Sequence, residues 1–443
     1  MPANNLNDVF RFFYKQAHIT VDNFDEFYVN ADKGRGKTAY TPLKRQLVTT
    51  PDGSLKILFA GHKGCGKSTE LVRLQKSIDN DFVVLSFSVR NELDINNINY
   101  IELLIVAMER LFGFVNDEHR MKISSAYLKN ITNWLRSEEL EKINNKHLGI
   151  DLETGAEAGF DIPFITKFFA KFKAAAKASV SMKETLKMTI EPKLTELILN
   201  CNLLINEIKN SLSDIGKKGL VIIMEDLDKL SLSKSEEIFF DHSAQLNQLN
   251  CHCIFTFPIA LQYHIKYKTI RTNYDEAFVL PMIKVATKQG NEVQEGIQVM
   301  KDIVSRRMDI SLFEDEEILK DMIKYSGGCL WDLFQIIKDA VSSALDYERD
   351  RINRIDFTSA YKILKRDYEF TIAENTEKKI TVHQYFDALV ECANDRDKKP
   401  MSTDVMFDLR NNLTVLSYND ENWNDVHPVV KDILKERRLI YDE

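Results

Sequence analysis

The sequence predicts an α/β fold with a three-layer core, a helical insertion, a helical lid and a small winged-helix-like domain at its C-terminal end. Two observations predict this fold. Five short apolar runs are typical of buried parallel strands, and helical apolar spacing fills the long segments between them. A glycine-rich turn joins the first of these runs to a helix. This alternation favours a parallel sheet with helices on both faces.

The length and composition exclude several other classes of protein. A chain of 443 residues is long enough for two or three domains, and its 44% apolar and 28% charged residues suit a globular protein with a large core. No apolar run approaches the roughly 18 residues of a membrane helix, and the first residues show no export pattern. Six scattered cysteines suit a reducing compartment, so we expect a cytoplasmic location without a membrane span. The net charge of −8 gives no general attraction to nucleic acid.

The strongest motif follows the apolar run at residues 55–60. After it comes a glycine-rich turn, and residues 70–78 then have helical spacing. This strand–loop–helix order is the setting that the G-x-x-x-x-G-K-[ST] pattern requires. Backbone N–H groups of such a loop, together with the start of the helix, can bind phosphate oxygens. The candidate ligand-binding residues are therefore Gly61, His62, Lys63, Gly64, Cys65, Gly66, Lys67, Ser68 and Thr69.

Side chains of this loop and of a second strand suggest a nucleoside triphosphate bound with Mg²⁺. Lys67 can reach the β- and γ-phosphates, and the Ser68 hydroxyl can bind the metal. The apolar run at residues 219–224 ends in Glu225 and Asp226, at the edge of the sheet where ligands bind. One carboxylate, with Glu225 as the metal candidate, would hold Mg²⁺. The other would orient or deprotonate the attacking water, and the pattern does not decide which does so.

Two kinds of P-loop protein are excluded by their own motifs. GTPases need an Asn-Lys-x-Asp motif, which the chain lacks. Transporter-type ATPases carry a Ser-Gly-Gly signature before the acidic strand, whereas here the triplet begins at Ser326, after that strand.

The remaining strands complete a resemblance to a known superfamily. They are predicted at residues 82–89, 252–257 and 277–280. With the Gly-Lys-Ser-Thr-Glu-Leu, Thr-Phe-Pro-Ile and Leu-Pro-Met-Ile-Lys-Val segments, the chain resembles the AAA+ ATPases and their STAND and initiator-like relatives. Within these it looks similar to prokaryotic ATP-binding proteins of conflict and anti-phage systems. The resemblance covers roughly residues 29 to 368 and implies a P-loop NTPase core that hydrolyses ATP with Mg²⁺.

The resemblance implies further site residues. Thr256 would be a polar sensor that contacts the γ-phosphate or the attacking water. Arg271 falls where such ATPases often place an arginine finger for a neighbouring subunit, although an ordinary surface arginine fits equally well, and Lys268 is a weaker candidate. Arg35 and Thr38 would lie near the base or the phosphates, with a basic surface loop as the alternative.

The lid segment departs from the pattern of these relatives. Trp331 stands where they usually carry an arginine. Sensing of the γ-phosphate by the lid would then fall to Arg306 or Arg307, or be lost.

We divide the chain into five predicted segments. The division is an N-terminal helical and linker segment at 1–50, the ATPase core at 51–97 and 219–290, a helical insertion at 98–218, a helical lid at 291–369, and the winged-helix-like domain at 370–443.

The insertion carries one unusual stretch, at residues 159–187, which mixes phenylalanines with lysines. Such a helix can lie on a membrane, bind a nucleic-acid backbone, or pack its aromatic side chains on a partner protein or, with the lysines in solvent, on its own domain. The last outcome is the commonest, and we single the insertion out as a candidate adaptor element. The C-terminal domain is acidic, which favours protein contact over DNA.

The resemblance leaves three functional hypotheses open. The first is an oligomerising regulatory ATPase that controls a separately encoded effector in bacterial anti-phage defence. The second is a DNA-associated ATPase of the initiator or loader kind, and the third is a scaffold that binds ATP without turnover. The partners expected are further copies of the chain, an effector or adaptor protein and, in the second hypothesis, nucleic acid.

Overall fold

The computed structural model describes residues 2–13, 19–36, 38–118, 121, 123–135, 162–178, 184–185, 188–395, 403–418 and 423–441. No described helix has the length and apolar character needed to cross a membrane.

A five-stranded parallel sheet forms the centre of the fold. Its strands are β1 (Lys56–Gly61), β2 (Phe82–Ser88), β3 (Gly219–Glu225), β4 (His252–Pro258) and β5 (Glu276–Leu280). They are arranged in the order β2-β3-β4-β1-β5. Every strand predicted in the core is confirmed, with bounds that differ by one residue at most, because each is a short apolar run buried from both sides. The order places β4 between β1 and β3, so the glycine-rich loop and the acidic strand end flank the end of β4.

Two hydrophobic clusters cover the two faces of this sheet and give the three layers that the sequence predicts. Side chains alternate between the faces of a strand. Leu58 and Ala60 of β1 therefore join one cluster, which includes the insertion helices. Ile57 and Phe59 join the other, which includes the lid and the C-terminal helices.

Helices before and between the core strands connect these layers. They are α1 (Leu6–Phe13), α2 (Phe24–Phe27), α3 (Asp32–Arg35), α4 (Tyr40–Thr49), α5 (Lys67–Ile78) and α6 (Val89–Glu92).

The described part of the insertion is mainly helical. Its helices are α7 (Tyr100–Asp117), α8 (Ser125–Leu135), α9 (Ile162–Ala178) and α10 (Leu194–Ser211). Helix α9 buries Phe168, Phe169 and Phe172 against its own domain, while Lys167 and Lys171 are exposed. The aromatic face is therefore internal, which is the commonest of the three outcomes considered. Phe160, Lys183, Lys187 and the side chain of Phe164 lie outside the described residues.

The core continues with α11 (Leu232–Glu236), α12 (Ser243–Leu246) and α13 (Tyr267–Asn273), and the lid follows. Its four helices are α14 (Gln294–Ser305), α15 (Glu316–Tyr325), α16 (Leu330–Asp346) and α17 (Arg354–Thr371). The sequence predicts that the first lid helix begins at residue 299, but it begins five positions earlier, at Gln294. The first turn contains Gly296, although glycine is a poor helix former. Its Cα packs so closely against Lys284 that a Cβ at this position would lie 1.9 Å from the Lys284 carbonyl oxygen.

The C-terminal segment is winged-helix-like. Helices α18 (Val382–Asn394) and α19 (Asp404–Asn411) precede an antiparallel pair, β6 (Val415–Ser417) and β7 (Asn424–Val426), and helix α20 (Pro428–Glu436) follows. The sequence predicts a strand at 413–418 and a turn at 419–422. Strand β6 is shorter than this predicted strand, and β7 is not predicted. The predicted turn at 419–422 lies outside the described residues.

Candidate functional site

The glycine-rich loop begins at Gly61 in β1 and ends where α5 begins at Lys67. Gly64 and Gly66 have φ angles of 73° and 97°, in the left-handed region where a side chain is strained. A Cβ on Gly61 would lie 2.8 Å from Cys65 Sγ, so this position also requires glycine. The turn brings the free N–H groups at the start of α5 to the edge of the sheet.

Lys67 is fully engaged inside this turn. Its Nζ donates hydrogen bonds to the carbonyl oxygens of Gly61 at 2.9 Å and His62 at 2.8 Å. It also forms an ion pair with Asp228 at 2.9 Å, and its side chain is only 6% exposed. Burial alone lowers the pKa of Lys67, but the Asp228 carboxylate outweighs burial and raises it. Three acceptors thus occupy the three donors of the ammonium group.

Asp228 is a site residue that sequence reasoning did not single out. A 3-10 turn at Leu227–Lys229 follows the acidic strand end and places the Asp228 carboxylate at the loop. The sequence signal was present, since Asp228 is the third acid of the Glu-Asp-Leu-Asp segment. Its spacing alone does not show that the chain turns back toward Lys67.

Glu225 and Ser68, the predicted metal ligands, lie close together at this edge of the sheet. The carboxylate ends β3 and accepts a hydrogen bond from the Ser86 hydroxyl at 3.2 Å, and the Ser68 hydroxyl is near enough to lower its pKa. Burial raises the pKa of Glu225 to about 7, and the two hydroxyls only partly offset this. Burial thus disfavours the charged form of this carboxylate, and a divalent cation beside it would stabilise that form. A carboxylate and a hydroxyl side by side are oxygen ligands of the kind that Mg²⁺ prefers, so this donor set fits the metal.

Asp226 has a different set of partners. Its backbone is left-handed, with a φ of 69°. The carboxylate accepts a hydrogen bond from the Ser88 hydroxyl and pairs with Lys229 Nζ at 2.5 Å. Glu225 and Asp226 therefore have different partners, since only Asp226 pairs with an ammonium group. Which of the two acts on the metal and which on water stays a prediction.

Thr256, the predicted sensor, contacts the backbone of the acidic segment. Its buried hydroxyl accepts a hydrogen bond from the Leu227 N–H at 3.0 Å and lies 3.5 Å from the Met224 carbonyl oxygen. It holds the end of β3 and the following turn against β4. Direct contact of Thr256 with a phosphate stays a prediction.

A cavity of about 480 Å³ opens beside the loop. Its charged part includes six of the predicted loop residues and three residues of the acidic turn. These are Lys63, Gly64, Gly66, Lys67, Ser68, Thr69, Asp226, Asp228 and Lys229. Its apolar part is lined by the N-terminal segment and the lid, including Phe13, Phe27, Val29, Ile303 and Phe334. One cavity thus joins a charged site to an aromatic one.

Arg35 lines this cavity, but its guanidinium group forms hydrogen bonds within the protein. It donates to the carbonyl oxygen of Cys65 at 2.6 Å and to that of Pro281. Thr38 lies at the start of α4, where its hydroxyl accepts the Tyr40 N–H at 3.2 Å. Ligand contact by either residue stays a prediction.

The other predicted arginines differ in burial and in whether they line the cavity. Arg307 is buried in the apolar part, 5.4 Å from the Phe27 ring centre and 5.2 Å from that of Phe334, and burial lowers its pKa to about 10. Arg306 is exposed outside the cavity lining. Arg271 is exposed on α13 and also lies outside that lining, as does Lys268, so a role at a neighbouring subunit stays a prediction.

The lid and the C-terminal segment both contact the glycine-rich loop. The Leu330 N–H donates to the Gly64 carbonyl oxygen at 3.1 Å, and Trp331 packs beside Gly64. The Ser417 N–H donates to His62 Nε2 at 2.8 Å. Burial is the main reason that the pKa of His62 falls to about 3, so its ring is neutral and can accept this bond.

Comparisons with known proteins find only weak similarity. No protein-family model matches the chain, and no curated protein matches it. Among solved structures, it is similar to the Orc1 protein of Aeropyrum pernix in complex with DNA, at 11% identity over 97% of this chain and 98% of that one, with a TM-score of 0.41. The Orc2 protein of Aeropyrum pernix is 10% identical over 97% and 99%, with a TM-score of 0.40. Cdc6p from Pyrobaculum aerophilum is 11% identical over 95% and 99%, with a TM-score of 0.38. At these values the description of the fold rests on the strand order and the loop themselves.

Proposed function

We propose that the chain binds ATP with Mg²⁺ in this cavity and hydrolyses it. The observation that carries the proposal is the convergence at one cavity of a phosphate-type loop, a buried lysine and a hydroxyl–carboxylate pair. An anion of high charge suits the loop N–H groups and Lys67, and a divalent cation suits Ser68 with Glu225.

The residues would act mainly by position and charge, as in phosphoryl transfer generally. A phosphate oxygen would replace the Asp228 carboxylate at Lys67, which frees that carboxylate to accept a hydrogen bond from water. Ser68 and Glu225 would hold Mg²⁺, which when bound neutralises phosphate charge. Asp226 is the second candidate for orienting the attacking water.

The apolar part of the cavity suits the nucleobase. The rings of Phe27 and Phe334 and the buried Arg307 between them offer stacking surfaces and a hydrogen-bond donor. The absence of the Asn-Lys-x-Asp motif from the sequence supports adenine over guanine.

A switch role is supported by the contacts of the loop. Lid residue Leu330 and C-terminal residue Ser417 both bond to loop residues, so nucleotide occupancy can alter two other parts of the chain. The winged-helix-like architecture of the C-terminal segment supports a DNA-associated switch as the second candidate function, whereas the acidic composition of that segment counts against it. Control of a separate effector in anti-phage defence, and assembly of several copies, rest on the sequence resemblance alone.

Substitution of Lys67 tests the ATPase directly. We expect Lys67→Ala to weaken ATP binding about 100-fold, because a charge-assisted contact worth roughly 2–3 kcal/mol is lost, and to abolish phosphate release. Calorimetric titration and phosphate release, each with Mg²⁺ and with a chelator, provide the measurement. Native mass measurement with and without ATP, and turnover with and without DNA, then separate the switch hypotheses.

Lys234→Ala is the control, since this lysine lies on α11 outside the cavity lining. Thermal melts of both variants show that the fold is kept. Wild-type protein that binds no ATP, or a Lys67→Ala variant that binds it normally, would contradict the proposal.

A further inference from the structure

Lys229 is a cation of the cavity with no role in the mechanism so far. It ends the 3-10 turn that follows Asp226 and lines the same part of the cavity as Lys67 and Asp228. Its Nζ pairs with Asp226 at 2.5 Å and lies 5.8 Å from the centre of the Trp331 ring. The side chain is 18% exposed, so the ammonium group faces the cavity between the acidic turn and the lid.

The contacts of Lys229 differ from those of three other cations in the described lining, Arg35, Lys67 and Arg307. Arg35 and Lys67 both donate hydrogen bonds to backbone carbonyl oxygens, which are fixed in place by the fold. Arg307 lies in the apolar part, between two phenylalanine rings. Lys229 instead contacts a carboxylate and the face of an indole. A phosphate oxygen can replace the carboxylate, and the indole stabilises the ammonium group in either position.

We propose that Lys229 contacts the terminal phosphate of the bound nucleoside triphosphate from within the same chain and stabilises the charge that develops on it during transfer. This inference rests on the proposed function. On binding, Lys229 leaves Asp226 for a phosphate oxygen, and the Asp226 carboxylate becomes available to a water molecule. Until then the Ser88 hydroxyl and Lys229 hold the Asp226 carboxylate.

The alternative is an ion pair that only supports the turn. The chain contains a matched example, because Lys234 and Glu237 also form a pair three residues apart, at 2.8 Å and 24% exposure. That pair does not line the cavity. Lys234 therefore shows what loss of such a pair does to the fold.

The test compares Lys229→Met, Lys229→Arg and Lys234→Met in the full chain. We expect Lys229→Met to slow single-turnover phosphate release about 100-fold, the usual effect of removing one donor from a developing anion. ATP affinity should fall about tenfold while ADP affinity stays within twofold, since ADP lacks the terminal phosphate. Lys229→Arg should restore most of the rate, and Lys234→Met should match the wild type.

Wild-type turnover in Lys229→Met would overturn the proposal, as would an equal loss of ATP and ADP affinity, which is the result expected of a damaged turn. If the wild type binds ATP without turnover, the test rests on affinity alone: Lys229→Met must lower the affinity for ATP more than the affinity for ADP. Wild-type protein that binds neither nucleotide rejects the proposed function itself, and Lys229 with it.

Discussion

At the scale of single residues, Arg410 is a charged side chain that is almost fully buried. It lies on α19, is 1% exposed, and stacks 3.8 Å from the Tyr263 ring centre. Within the described residues its Nε and Nη2 have no hydrogen-bond partner. Burial lowers the pKa of Arg410, as expected for a cation removed from water. Each unsatisfied buried donor costs roughly 1–3 kcal/mol, while the contact with Tyr263 returns up to about 2 kcal/mol.

We therefore expect Arg410→Met to raise the free energy of unfolding by about 1 kcal/mol, since a flexible apolar side chain fills the space without unpaired donors. Chemical denaturation monitored by circular dichroism measures the difference. Arg437→Met is the matched control, because Arg437 stacks on Phe386 at 4.7 Å but is exposed. Its substitution should change stability by less than about 0.5 kcal/mol. A destabilised Arg410→Met variant would show that the guanidinium has partners that satisfy it.

At the scale of elements, α9 shows why its sequence permits several interpretations. Its phenylalanines and lysines alternate so closely that composition alone also suits a membrane or nucleic-acid surface. In the structure, Phe169 stacks on Phe112 at 5.7 Å and on Trp134 at 6.4 Å, which places it in the core of the insertion. The lysines that remain exposed, such as Lys171, lie on the opposite side.

We expect Phe169→Ala to destabilise the protein by about 3–5 kcal/mol, the usual cost of a large cavity in a packed core. Lys171→Ala, on the same helix, should change stability by less than about 0.5 kcal/mol. Urea denaturation of both variants provides the measurement. Equal, small effects of the two substitutions would mean that the aromatic face is not packed and is available for a partner.

The same elements show which parts of the fold and site the sequence could predict. Buried parallel strands and the glycine-rich loop are local patterns, so β1 and residues 61–69 were predicted within one residue. The partners of Lys67 and of Asp226 depend on how the turn after β3 bends back, and residue spacing does not contain that direction. Asp228 and Lys229 were missed for this reason.

At the scale of the whole molecule, the glycine-rich loop is where distant parts of the chain meet. The lid bonds to Gly64, and the C-terminal segment bonds to His62 through Ser417, which lies 355 positions further along the chain. No periodicity or motif predicts a contact between residues so far apart. The glycine-rich loop was therefore predictable from the sequence, whereas its contact with the C-terminal segment was not.

The stability of the contact between the glycine-rich loop and the C-terminal segment should depend on pH, because the ring of His62 forms part of it. The pKa of its ring falls from an ordinary 6.5 to about 3 in the folded protein, chiefly because the ring is buried. Below pH 6.5 the unfolded chain binds a proton that the folded chain does not bind until about pH 3. The free energy of unfolding must therefore fall as the pH drops through this window, by about 2 kcal/mol between pH 7 and pH 5.

We expect His62→Gln to remove this loss of stability at low pH. The amide oxygen of glutamine can still accept a hydrogen bond from the Ser417 N–H, but the side chain does not titrate in this range. The stability of wild type minus that of His62→Gln, measured by urea denaturation at pH 7, 6 and 5, should fall by about 2 kcal/mol across the series. Other titrating groups are common to both proteins and cancel in this difference. His383→Gln, an exposed histidine on α18, should follow the wild type at each pH. A constant difference across the series would mean that His62 is not buried against the C-terminal segment in solution. The C-terminal segment would then not contact the glycine-rich loop.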